Sequence, residues 1–107
     1  MNQIIEEIKI LENLIEADPK NFINYFHLGD VYRKIKKYDF ALKNYQKSVE
    51  LNKEFPEGFN NLANIYKELK NTKNSITFFK KAIELNPNYI NALYNLGVVY
   101  FEIDKYE

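Results

Sequence analysis

Leu28-Gly29 is followed 34 residues later by Leu62-Ala63, and after the same interval by Leu96-Gly97. Tyr32, Tyr66 and Tyr100 keep this spacing, and so do Tyr25, Phe59 and Leu93. Further along the unit, Ala41 matches Ser75, Tyr45 matches Phe79, and Ser48 matches Ala82. Val49-Glu50-Leu51-Asn52 returns as Ile83-Glu84-Leu85-Asn86, and Pro19, Lys53 and Pro87 occupy one closing position. A fixed period of this length means copies of one small supersecondary unit, each too small to bury its apolar face alone.

Each unit reads as two helices. Tyr25, Leu28, Gly29, Tyr32 and Ile35 recur at three- and four-residue steps, as do Ala41, Leu42, Tyr45, Ser48 and Val49. That is the spacing of one helical face. Lys36-Lys37-Tyr38-Asp39 and Lys70-Asn71-Thr72-Lys73 read as the connections. They are short and polar, which makes the two helices antiparallel neighbours. Asp39 and Asn74 are expected as N-caps or first-turn residues, and Pro19 and Pro56 mark helix limits. A mid-helix glycine costs about 1 kcal/mol against alanine. Its return at Gly29 and Gly97, with Ala63 between, implies a close approach, for which Ala41 and Ser75 are the expected opposing surface.

The register sets the organisation of a single domain over residues 1–107. Residues 1–21 form a half repeat or capping helix, 22–55 and 56–89 are full repeats, and 90–107 hold the first helix of a truncated repeat, stopping at Tyr106-Glu107. The expected fold is all-α, a stack of antiparallel helix pairs with about six helices, for which the resemblance to a known repeat family implies a right-handed α-solenoid.

The pattern resembles the tetratricopeptide repeat: a large residue, Leu-Gly, Tyr, then Ala, an aromatic and Pro. Departures are Ala63 at the Gly position, Ser75 at an Ala position, Leu93 at the bulky aromatic position and Lys53 at the Pro position. The resemblance implies a concave groove lined by the first helices, which holds a peptide. It places Phe26, Asn60 and Tyr94 in one row, Asp30, Asn64 and Val98 in a second, and Arg33, Lys67 and Phe101 in a third. Ile23, Glu57 and Asn91 fall near the mouth. Chaperone-binding members hold a terminal carboxylate with Lys, Arg and Asn. Here those positions carry Phe26, Asp30, Asn61, Asn91 and Asn95, so no such clamp is expected. His27, Asn61 and Asn95 occupy equivalent places before the Leu-Gly-like pairs. This is similar to the asparagine ladder of O-linked N-acetylglucosamine transferases, in which each amide can donate to and accept from a peptide backbone.

Composition narrows the function classes. Fifteen basic and fifteen acidic residues give a net charge of zero, which offers no field to attract nucleic acid. There is no cysteine, and His27 is the only histidine, with no acidic cluster at ligand spacing. Neither a phosphate loop nor a nucleophile elbow occurs, so no enzyme activity, metal or cofactor is expected. Met1-Asn2-Gln3-Ile4 does not begin a signal peptide, no apolar run reaches membrane-spanning length, and a cytoplasmic location is expected. Asn, Lys, Ile and Tyr are abundant and Arg33 is the single arginine, a bias that AT-rich codons produce.

The expectation is a protein–protein interaction module, a scaffold or adaptor that takes a peptide in its groove. Two alternatives stand beside it. The chain is a fragment of a longer repeat array, or it self-associates head-to-tail into a homo-oligomer by joining its terminal half repeats.

Overall fold

A computed structural model describes residues 2–105. The described residues form six helices and no strands: α1 (Asn2–Ala17), α2 (Phe22–Lys34), α3 (Tyr38–Leu51), α4 (Pro56–Glu68), α5 (Thr72–Leu85) and α6 (Ile90–Lys105). They fall into two compact units divided between Lys53 and Glu54. The sequence-derived end at Tyr106-Glu107 lies outside the described residues.

In the first unit α2 and α3 form a tight pair, and α1 packs on α2. Asn21 caps α2 through a bond from the Ile23 amide to its side-chain oxygen, 3.2 Å. The α2–α3 turn is shorter than the sequence suggested, because Tyr38 and Asp39 already lie in α3. Lys36 takes a left-handed conformation (φ 61°). The Lys36 and Lys37 amides bond back to the carbonyls of Arg33 and Tyr32. This closes the helix as a Schellman motif without glycine. The second unit repeats the device at Lys70 (φ 65°), whose amide and that of Asn71 reach Lys67 and Tyr66. The cap of α5 is Asn71, which accepts from the Asn74 amide at 3.2 Å; Asn74 and Asp39 are first-turn residues.

The close approach at Gly29 differs from the expectation. A Cβ on Gly29 would lie 2.7 Å from Cδ1 and Cε1 of Tyr45. The aromatic ring itself, and not the Ala41 surface, occupies the glycine's space. Tyr45 is fully buried, and Leu28 and Val31 of α2 are also core residues. The counterpart pair in the second unit, Ala63 and Phe79, is also fully buried.

The small residues of α3 and α5 sit in closed positions: Ala41, Ser48, Ser75 and Ala82 are all 0% exposed. Ser48 Oγ donates to the Phe22 carbonyl at 2.9 Å, which ties α3 to the start of α2. Stacked rings also join the helices of each pair. Tyr32 lies on Phe40 at 5.2 Å in the first unit, and Phe78 receives Phe59 and Tyr66 at 6.0 and 5.6 Å in the second. In the second unit α6 packs on α5 and α4, burying Ala92 and Val99. No residue of α1 is fully buried, and Ile5, Ile10 and Leu14 are exposed.

Candidate functional site

Each unit carries its own open cleft. In the first unit it is about 520 Å³, with Glu7, Ile10 and Leu11 of α1 on one wall. The other wall is His27, Asp30, Val31, Arg33 and Lys34 of α2. Three of the residues singled out from the sequence, His27, Asp30 and Arg33, are brought together here because they follow one another at three-residue steps along α2. Asp30 accepts a hydrogen bond from the Tyr45 hydroxyl, and Arg33 Nη2 stands 3.7 Å from the same carboxylate. Phe26 is half-buried beside the cleft, its ring 5.7 Å from His27 and 5.8 Å from Tyr45. Ile23 is half-buried as well.

The second unit has a cleft of about 550 Å³ between the end of α4 and the last turns of α6. Lys67, Glu68, Lys70 and Thr72 line one side, and Val98, Val99, Glu102 and Ile103 the other. Of the sequence candidates it contains Lys67 and Val98. Asn64 is half-buried, Asn91 and Glu57 are exposed, and Tyr94 and Phe101 stand out at 70% and 66% exposure.

The asparagines of this unit form a connected chain. Asn60 Nδ2 donates to Asn61 Oδ1 at 3.3 Å, and Asn95 Nδ2 donates to Asn60 Oδ1 at 3.3 Å. Asn60 is only 5% exposed, so it lies beneath the surface and links the two outer amides across α4 and α6. Tyr89 adjoins this chain. Burial first, then the charge of Glu57, pushes its phenol pKa above the ordinary value, while a hydrogen bond with Asn60 pulls it down. In the first unit burial and the charge of Glu12 raise the Tyr32 phenol.

Several cleft residues escaped the sequence reading: Glu7, Ile10 and Leu11 on α1, and Glu68, Lys70, Thr72, Glu102 and Ile103 in the second unit. The α1 residues carried a faint signal, since Ile10 falls outside the apolar stripe of Ile4, Ile8, Leu11 and Ile15. Among the described residues no three His, Cys, Asp or Glu side chains come together at metal-binding distance. None of the described helices is long and apolar enough to cross a membrane.

The sequence profile of the family described as TPR repeat matches residues 29–70 and 63–104. The chain belongs to the tetratricopeptide-repeat family. Its all-α fold is the TPR fold, as comparison with solved structures also shows. The crystal structure of MamA superposes with a TM-score of 0.85 at 28% identity, covering 91% of this chain and 57% of MamA. This TPR chain thus spans little more than half the length of that relative. The first TPR domain of human RPAP3 has a TM-score of 0.91 at 19% identity, covering 97% of this chain and 82% of that one. A Thermobaculum terrenum O-GlcNAc transferase mutant has a TM-score of 0.84 at 22% identity, covering 90% of this chain and 18% of the enzyme. At these identities the last two are likenesses of fold alone. No curated protein sequence matches the chain.

Proposed function

We propose that this TPR chain is a protein–protein interaction module that holds an extended peptide segment on α4 and α6 and performs no catalysis. The observation that carries the reading is the surface shared by α4 and α6. There the amide chain Asn61–Asn60–Asn95 lies on the same two helices as the exposed ring of Tyr94. Amides satisfy peptide backbone groups without regard to sequence, and an aromatic ring supplies an apolar anchor. Asn61 and Asn95 contact the backbone in this reading. Asn60 is a positioning residue that orients both. Within the second unit, Asn64, Lys67, Asn91 and Val98 are the further contacts in this reading; in the first unit, Phe26, His27, Asp30 and Arg33 form a separate peptide-contacting surface.

A TPR of RPAP3 has been solved bound to the HSP90 peptide SRMEEVD. That supports a peptide as the class of ligand. It does not transfer the acidic terminus, because of the five clamp positions implied by the resemblance only Asn61 matches, and Asp30 at another would repel a carboxylate.

The test is capture of binding proteins by the wild-type chain and by an Asn61→Ala/Asn95→Ala/Tyr94→Ala variant, with helicity followed by circular dichroism. Loss of captured proteins at unchanged helicity supports the reading. Recovery of the same proteins by both forms would overturn it and move the interaction elsewhere on the surface.

A further inference from the structure

Tyr89 belongs to none of the rows that the repeat register picks out, and it stands immediately before α6. Its backbone is held on both sides. The Tyr89 amide donates to the Asn86 carbonyl at 3.0 Å, and the Tyr89 carbonyl accepts from the Leu93 amide at 3.1 Å. The Asn86 side chain accepts from the Asn88 amide at 3.3 Å, and Pro87 between them has a fixed φ. The turn from α5 into α6 therefore delivers the Tyr89 side chain to a set place. There its hydroxyl shares a hydrogen bond with the amide of Asn60 on α4.

Asn60 is where the polar contacts of this surface converge. It is 5% exposed, so protein groups and not bulk water must satisfy its amide. Its Nδ2 donates to Asn61 Oδ1, and its Oδ1 accepts from Asn95 Nδ2, each at 3.3 Å. Both bonds are long beside the usual N–H to O distance of about 2.9–3.0 Å, so the two amides alone hold Asn60 loosely. A side-chain amide has two N–H donors, and Asn61 takes one. The bond to Tyr89 favours the ionised phenol, as a donor to the phenolic oxygen does, so the second N–H of Asn60 points to Tyr89. With three partners on a planar group, rotation about the last bond of Asn60 breaks at least one of them.

The repeat interval gives an independent check. One period before Tyr89 and Asn60 the chain carries Phe55 and Phe26. The hydroxyl and the amide are present together at one pair of positions and absent together at the other. Phe55, at the N-cap of α4, also shows that a bare ring suffices to enter a helix at this position. The hydroxyl of Tyr89 is thus additional to what the turn requires.

We propose that Tyr89 is a positioning residue of the peptide-contacting surface, holding Asn60 and, through Asn60, the side chains of Asn61 and Asn95. What Asn61 and Asn95 touch rests on the peptide-binding reading above. Amides set in place before a peptide arrives lose less conformational freedom when it binds, and that favours affinity without a new contact.

Tyr89→Phe removes the hydroxyl and keeps the ring, and Phe55 shows that the fold accepts the change. Proton–nitrogen spectra of the chain without any ligand read the side-chain NH2 groups directly. In Tyr89→Phe the NH2 signals of Asn60 and Asn95 should shift and exchange with water several-fold faster. Those of Asn64 and Asn91, on the same two helices, should stay in place. In an Asn60→Ala background Tyr89→Phe should not move the Asn95 signals further, because Tyr89 acts through Asn60. A purely structural role would loosen all four amides together or none. The second measurement uses the proteins that the wild-type chain captures and the Asn61→Ala/Asn95→Ala/Tyr94→Ala variant does not. Tyr89→Phe should retain several-fold less of them at unchanged helicity. Unmoved Asn60 and Asn95 signals overturn the proposal, whatever is captured. Signals that move while capture stays at the wild-type level overturn it too. If the wild type and the triple variant capture the same proteins, the peptide-binding reading fails, and the spectra still decide whether Tyr89 holds Asn95, so the two failures are told apart.

Discussion

The hydroxyl of Tyr45, a fully buried residue of α3, donates a hydrogen bond to the carboxylate of Asp30 on α2, inside the unit where the Tyr45 ring also fills the space over Gly29. One side chain thus joins the core of the helix pair to the wall of its cleft. The second repeat lacks this link. Phe79 replaces Tyr45 and Asn64 replaces Asp30, so hydroxyl and carboxylate are absent together. Hydrogen bonds to a charged group contribute about 1.5–3 kcal/mol. Tyr45→Phe should destabilise the chain by about that amount in urea unfolding, with helix content unchanged. A loss below about 0.5 kcal/mol would show that water replaces the hydroxyl at Asp30.

The two aligned glycines should respond to alanine with opposite signs. At Gly29 the added carbon meets the Tyr45 ring, which has no free space to retreat into, so Gly29→Ala should cost about 1–3 kcal/mol. At Gly97 the added carbon meets nothing, and the gain in helix propensity should stabilise the chain by about 1 kcal/mol. Thermal unfolding of both variants at low concentration checks the pair.

Ser48 and Ser75 are both fully buried, but only Ser48 has a described partner. Ser75 Oγ is enclosed without a hydrogen bond. Removing an unsatisfied buried hydroxyl relieves a cost of about 1–3 kcal/mol, whereas removing a bonded one exposes the other half of the bond to the same cost. Ser75→Ala should raise the unfolding midpoint and Ser48→Ala should lower it. Equal effects at both sites would contradict this account.

Stability should decline at alkaline pH. The folded pKa values of Tyr32 and Tyr89 lie above the ordinary tyrosine value of 10.0, mainly through burial. Between the unfolded and folded pKa the unfolded chain has released protons that the folded chain retains, so unfolding is favoured there. These residues leave stability untouched below about pH 10 and reduce it as the pH rises further. Tyr32→Phe should flatten the alkaline limb of midpoint against pH without a change in the neutral range, and Tyr89→Phe should flatten it too while lowering the neutral midpoint through loss of its hydrogen bond with Asn60.

Much of the fold was legible because its signals are local. The three- and four-residue spacing from Tyr25 to Ile35 is written within one helix, and Pro56 at the first position of α4 marks its start. The turns were placed two residues too far along, because Tyr38 and Thr72 give no sign that the chain has already re-entered a helix. The left-handed positions were hidden too, because lysine and not glycine occupies them.

The candidate site was legible in identity but not in arrangement. The repeat register alone singles out the positions of Phe26, Asn60 and Tyr94 as equivalent. It cannot show that Asn60 is covered and tied to Asn61 and Asn95 while Tyr94 stands in solvent. By itself the sequence determined the period, the helix pairs and the family, since periodicity and spacing act along the chain. Tertiary structure alone decided that the Tyr45 ring fills the space over Gly29, that Ser48 is bonded where Ser75 is not, and that Gly97 lies open. Each of these depends on which atoms of a neighbouring helix come within contact distance, and that is fixed only when the helices pack.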